Sequence, residues 1–319
     1  MEDMNEFKQF DIVSDDSDHH FRDRSSGNNI MNNTKKSIMK EWKILEQNLP
    51  ESIYVRVYDQ RIDLMRAVII GAAGTPYHDG LFFFDIVFPS DYPNNPPKVH
   101  FISFGQRLNP NFYPNDTVCL SLLNTWRGKK NEKWNPSMST CLQLLLSLQG
   151  LVLNENPFFN EPGFAIFTHD FFDFLPRTYT ELVYRHTCYI NMHLLQKPPK
   201  NFDTFIKSHF CNRAAAILAA FVEYATGRVR IGYYGAGSLS SPPHKVLVSR
   251  RHKKWAQKFY PSMINAFERC GASLDTSVRD FVLLSEYESN ESTILTKVSV
   301  LIKKAFTWMN IKEKWGKFD

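Results

Sequence analysis

The chain of 319 residues is 43% apolar and carries a formal net charge of +5, which suits one to three domains with a sizeable core. Five cysteines, odd in number and without zinc or disulfide spacing, exclude a disulfide-stapled scaffold, and the absence of any apolar stretch of roughly 18 residues excludes a membrane span. The charge is uneven: residues 1–33 hold eight acids against three bases, and this −5 within a total of +5 leaves +10 on the remainder, a surface that is solvated or docks an acidic protein, so no nucleic acid is expected as partner.

Residues 1–33, rich in Asp, Ser and Asn with few periodic apolar positions, predict a disordered acidic tail. No basic stretch followed by an apolar run opens the chain, so no secretory signal is expected, and free thiols suit a cytoplasmic or nuclear setting. From Thr34, a plausible N-cap, the spacing of Ile38, Trp42, Leu45 and Leu49 predicts an amphipathic helix that Pro50 stops. The period then changes to two. Runs at 53–58, 64–70, 81–88 and 99–103 with short turns predict a four-stranded antiparallel meander, one face of which the preceding helix covers.

Pro89, Pro93, Pro96 and Pro97 make a stiff corner around Tyr92. Turn-forming Asn and Pro then crowd residues 109–115 before a lone thiol, Cys119, at the mouth of a short apolar run. A thiol beside such a loop is expected to reach solvent and backbone donors; it is either a nucleophile or a satisfied core cysteine. Residues 126–134 are a basic excursion with Arg127, Lys129, Lys130 and Lys133. A largely buried helix follows from Ser137 to Leu151, then a loop over 154–163.

Beyond it, helices are predicted over 178–197 and 202–226, then a Gly/Ser/Pro linker, then helices over 253–270 and 290–309. The basic run Arg250 to Lys254 is a surface cluster or a nuclear-import or phosphate patch. The expected organisation is a tail (1–33), an α+β domain (34–175), a helical extension of its core (176–231), a linker (232–252) and a C-terminal helical region (253–319).

Several motifs in one order resemble those of the ubiquitin-conjugating (E2) family. Phe88-Pro89-Ser90-Asp91-Tyr92-Pro93-Asn94-Asn95-Pro96-Pro97-Lys98-Val99 looks like its signature between the third and fourth strands. Asn109-Pro110-Asn111, with Asn111 eight residues before Cys119, is similar to its His-Pro-Asn to cysteine spacing, and Trp134-Asn135-Pro136 to its Trp-x-Pro. Leu49-Pro50, Gly74-Thr75-Pro76-Tyr77-His78-Asp79-Gly80, Val118-Cys119-Leu120-Ser121-Leu122-Leu123-Asn124-Thr125-Trp126 and Phe159-Asn160-Glu161-Pro162-Gly163 resemble the large-chain branch, which includes hybrid E2/E3 enzymes and plant enzymes of phosphate homeostasis.

The resemblance implies the ubiquitin-conjugating fold with an added helical C-terminal extension. It also implies that Cys119 accepts ubiquitin from an activating enzyme as a thioester and passes it to a substrate lysine or a ligase. Asn111 then supports the loop or the oxyanion, and Glu161 is the expected acceptor for the lysine proton. Asn109 replaces the family's usual His, which puts the local hydrogen bonding in doubt, and Asn94 replaces the apolar residue that ring-type ligases grip, which implies poor cooperation with them. The cations of 127–133 stand near enough in sequence to lower the thiol pKa or to steer acidic surfaces, but a solvated loop is the expectation. No cofactor or metal is implied, ATP being used by the activating enzyme.

Two other readings stay open. A thiol hydrolase needs an imidazole beside Cys119, and neither His78 nor His100 lies near it in sequence. A non-catalytic ubiquitin-binding or scaffold variant keeps the fold without the chemistry.

Overall fold

A parallel edge strand, β1 (Phe10–Val13), begins the sheet, and its order along the sheet is that of the chain: β2 (Ile53–Tyr58), β3 (Leu64–Ile70), β4 (Leu81–Val87) and β5 (Lys98–Phe101). In this computed structural model residues 7–24, 31–113, 115–126, 129–161, 163–164, 174–234 and 246–274 are described. They belong to a compact unit of residues 1–281; a second unit, 282–319, and the expected helix over 290–309 lie outside the described residues. Among the described residues no helix is long and apolar enough to cross a membrane.

Strands β2 to β5 are the expected antiparallel meander. The tail expected through residue 33 is corrected: residues 10–13 form β1, parallel to β2 with Phe10 opposite Val55. Four residues cannot bury enough surface alone, but the free edge of β2 supplies backbone partners. Val55 donates to the Gln9 carbonyl at 2.6 Å and Asp59 to that of Val13 at 3.1 Å. The Gln9 amide donates to the Pro50 carbonyl at 2.6 Å.

Register also explains what this segment covers. Arg56, Arg66, Asp85 and His100 stand opposite one another across β2 to β5, a polar row on one face of the sheet. Arg66, fully buried, donates two hydrogen bonds to Asp85, at 2.6 and 2.9 Å, and one to the Asp18 carboxylate at 2.7 Å. The Asp85 carboxylate also accepts from the His20 amide at 2.8 Å, and the His20 ring stacks on His100 with centroids 3.5 Å apart. Charges are buried only when paired and hydrogen-bonded, and the N-terminal segment completes that pairing.

Helix α1 (Asn32–Asn48) buries Ile38, Trp42 and Leu45, as their spacing predicts. Its Glu41 carboxylate accepts from the Tyr92 hydroxyl at 2.7 Å and from the Cys141 amide at 2.9 Å, so it fastens α1 to the proline corner and to the start of α2 (Cys141–Ser147). That helix begins after the expected Ser137 because Thr140 caps it, accepting from the Gln143 amide at 3.2 Å. A π-helical turn, Leu148–Val152, ends it.

Helices α3 (Phe174–Gln196), α4 (Asp203–Thr226) and α5 (Arg250–Cys270) follow. The first two rest on the loop over 74–80. Arg213 grips the Asp79 carboxylate at 3.0 and 3.1 Å, and His209 bonds the Asp79 carbonyl at 3.0 Å. A Cβ at Gly80 would lie 2.8 Å from the Thr187 methyl of α3, so glycine there permits close approach. Phe202 packs on Phe83 of β4, with ring centroids 5.1 Å apart. Both faces of the sheet are therefore covered, where the sequence predicted one.

Candidate active site

The eight-residue spacing of Asn111 and Cys119 has a geometric origin. Phe112 and Val118 form an antiparallel bridge, and the Tyr113 amide donates to the Thr117 carbonyl at 3.0 Å across a turn in which Asp116 takes φ 62°. In that register Asn111 stands directly opposite Cys119. The Cys119 amide donates to the Asn111 carbonyl at 2.7 Å, and the Asn111 side-chain amide donates to the Cys119 carbonyl at 2.8 Å. The main chain of the cysteine is held from both ends by one residue.

Asn109 holds the bend in turn. It is fully buried, donates to the Tyr77 hydroxyl and the Val152 carbonyl, both at 2.8 Å, and accepts from the Asn111 amide at 2.8 Å and from the Asn160 side chain at 3.3 Å. All four hydrogen-bonding positions of a carboxamide are used. The doubt raised by the missing histidine is resolved by geometry: the asparagine connects the bend to the π-helical turn and to the loop over 154–161. Glu161 follows Asn160 in that loop, half-buried, with its carboxyl pushed up by burial and pulled down by Arg107.

The sulfur itself departs from expectation. Cys119 is 0% exposed, where the polar loop predicted access to solvent. Its thiol donates to the Thr125 carbonyl at 3.2 Å and accepts from the Tyr113 hydroxyl at 3.1 Å. Tyr113 is half-buried and Thr125 exposed, so the sulfur lies one side chain below the surface. Burial pushes its pKa up, and the Glu161 carboxylate adds to this; the hydrogen bond from Tyr113 and the Thr125 side chain act the other way. The thiol pKa is thus raised, and none of the described cations of 127–133 is among the causes, which accords with a solvated loop there. Arg127 lies outside the described residues, and Lys129 is exposed.

Tyr113 and Thr125 are the site residues that the sequence reading missed. Each lies six residues from Cys119, but only the hairpin turn brings the first back over the sulfur. The Thr125 hydroxyl, bonded to the Leu120 amide at 2.9 Å and the Val118 carbonyl at 2.9 Å, closes the loop on the other side. The ring N–H of Trp134 donates to the Pro93 carbonyl at 2.7 Å, which ties the downstream segment to the corner. Asn94, in that corner, is exposed. Neither hydrogen bond of the sulfur involves an imidazole: His100 faces His20 and Asp116, and His78 faces Asp79.

An α+β fold with a cysteine braced by an Asn-Pro-Asn bend defines the class of the site, and comparison with known proteins supplies its family. The family model described as "Ubiquitin-conjugating enzyme" matches residues 37–165. "Putative ubiquitin-conjugating enzyme E2 38" of Arabidopsis thaliana is 41% identical over 271 residues, covering 84% of this chain and 83% of that protein. "Probable ubiquitin-conjugating enzyme E2 24" of the same plant is 45% identical over 280 residues, 83% of this chain and 29% of that protein. The human "Dual E2 ubiquitin-conjugating enzyme/E3 ubiquitin-protein ligase BIRC6" is 40% identical over 176 residues, 50% of this chain and 4% of that protein. The chain belongs to the ubiquitin-conjugating enzyme family. It spans less than a third of the length of two of these three relatives.

Proposed function

We propose that the chain is a ubiquitin-conjugating enzyme that carries ubiquitin as a glycyl thioester on Cys119. The observation that carries this reading is the double hold of Asn111 on the Cys119 main chain, which fixes the thiol near the loop that carries Glu161. In the first step the Cys119 thiolate attacks the carbonyl of a ubiquitin thioester on an activating enzyme, the carbon–sulfur bond to that enzyme breaks, and its thiolate leaves. A lysine amine or a ligase thiol then attacks the new thioester, and the Cys119 thiolate is the leaving group. ATP is consumed upstream, and no cofactor or metal enters these steps.

A lysine amine, with an ordinary pKa of about 10.4, must lose a proton to attack. Glu161 is the acceptor in this proposal, supported by its half-burial and raised pKa. Asn111 braces the loop through one amide N–H; its second N–H is assigned to the oxyanion of the tetrahedral intermediate. The partners are ubiquitin, an activating enzyme, substrate proteins and a ligase where one is used, in the cytoplasm or nucleus. Because the sulfur is covered, loading requires the Tyr113 side chain to swing aside.

The zero exposure of the sulfur favours a second reading, a non-catalytic ubiquitin-binding or scaffold variant of the fold. Incubation with activating enzyme, ATP and ubiquitin separates the two. A thiol-sensitive adduct that disappears in Cys119→Ala supports conjugation, and no uptake by the intact chain supports the scaffold.

A further inference from the structure

Two of the five cysteines meet in space although 59 residues separate them. Cys211 lies on α4, and Cys270 is the last residue of α5 before Gly271, whose left-handed φ of 102° ends the helix. Their sulfurs are 3.0 Å apart, within about 1 Å of a disulfide bond length. The Cys211 thiol also lies 2.9 Å from the Cys270 carbonyl, and the Cys270 thiol 3.0 Å from that of Phe267. Phe210 and Phe267 pack beside the pair, with ring centroids 6.2 Å apart, so the two helices already hold the sulfurs together.

The other cysteines differ in what surrounds them. Cys141 and Cys188 are buried, at 0% and 3% exposure, and burial pushes both thiols up. The sulfur of Cys119 has a tyrosine hydroxyl and a carbonyl as partners. Cys211 and Cys270 are both partly exposed, so a small oxidant reaches them.

We propose that Cys211 and Cys270 form a peroxide-sensitive dithiol that closes to an intramolecular disulfide, pinning the last turn of α5 to α4. In the first step the Cys211 thiolate attacks one oxygen of hydrogen peroxide, the O–O bond breaks, hydroxide leaves, and Cys211 becomes a sulfenic acid. Cys270 then attacks that sulfur, its proton and the sulfenic hydroxyl leave as water, and the S–S bond forms. Overall two thiols and one peroxide give one disulfide and two waters. Cys270 suits the resolving role because its sulfur already lies 3.0 Å from that of Cys211, within reach of the sulfenic acid as it forms.

The test uses the full chain, reduced, freed of reductant, treated with hydrogen peroxide, then blocked with N-ethylmaleimide, digested and mapped by mass spectrometry. The expected result is a Cys211–Cys270 cross-linked peptide, two hydrogens lighter than its parts, formed in monomeric protein and lost on treatment with dithiothreitol. It persists in Cys119→Ser and is lost in Cys211→Ser and Cys270→Ser. Recovery of Cys211 and Cys270 as separately blocked thiols or as separate sulfinic acids overturns the proposal, as does their linkage to any other cysteine. The wild-type map decides the matter even if a serine variant fails to fold.

Discussion

At the scale of single residues, the chemistry turns on what covers one sulfur. Tyr113 donates to it, and a hydrogen bond to a charged group contributes roughly 1.5–3 kcal/mol, so the hydroxyl favours the thiolate by about tenfold or more. Replacing Tyr113 by Phe therefore shifts the pH profile of Cys119 alkylation by iodoacetamide to higher pH and slows the reaction about tenfold near neutrality. Tyr113→Ala removes the cover as well and is expected to alkylate faster than Tyr113→Phe at every pH; equal rates for the two would show that the ring does not guard the sulfur. Glu161 offers a second contrast. Its carboxylate raises the thiol pKa, so Glu161→Gln is expected to speed alkylation of Cys119 while slowing transfer of ubiquitin to free lysine. A variant slowed in both, or in neither, would remove Glu161 from the proposed proton transfer.

At the scale of elements, buried polar groups decide how the added segments hold. The N-terminal segment and β3 and β4 share Arg66, whose removal of partners is costly: Asp85→Asn is expected to destabilise by about 3–5 kcal/mol, since it leaves a buried guanidinium undercompensated. Urea unfolding checks this, and the double change Arg66→Met with Asp85→Leu is expected to recover most of the loss. Helix α5 is capped by Ser249, which accepts from the His252 amide at 3.1 Å and whose own amide and hydroxyl bond the Glu181 carboxylate.

His252 carries the opposite lesson. It is 0% exposed with no hydrogen-bond partner among the described residues on either ring nitrogen, and burial followed by Arg185 drives its pKa down to about 3. A depressed folded-state pKa means that the fold accepts only the neutral ring. Its contribution is fully present above the unfolded value near 6.5 and is lost as pH falls from there toward 3, about 2 kcal/mol by pH 5. His252→Leu is expected to raise the thermal midpoint at pH 7 and to flatten its fall between pH 6.5 and 5. An unchanged slope would assign the acid sensitivity to other groups.

At the scale of the whole molecule, much of the fold was legible because periodicity reports burial directly. The alternation at Ile53, Val55 and Val57 gave β2, and the helical spacing of Ile38, Trp42 and Leu45 gave α1. The helices over 178–197 and 202–226 lie within a few residues of α3 and α4. What escaped was structure whose cause lies elsewhere in the chain. Phe10 to Val13 offers only four residues of strand formers inside an acidic segment, too short a signal by itself, and is a strand because β2 offers an edge. The site divides in the same way. The association of Asn111 with Cys119 was legible only through the resemblance to the family motif; the hairpin register that sets them opposite each other comes from the Phe112–Val118 bridge. The burial of the sulfur, the hydroxyl of Tyr113 above it and the approach of Cys211 to Cys270 come from tertiary folding and leave no periodic trace.

One reaction tests the central claim most directly. The full chain is mixed with ubiquitin, activating enzyme and ATP, quenched without reductant, and run beside a sample treated with dithiothreitol. The prediction is a single ubiquitin adduct that reductant removes and that Cys119→Ala never forms. An intact, folded chain that takes up no ubiquitin, or an adduct that persists in Cys119→Ala, would contradict it.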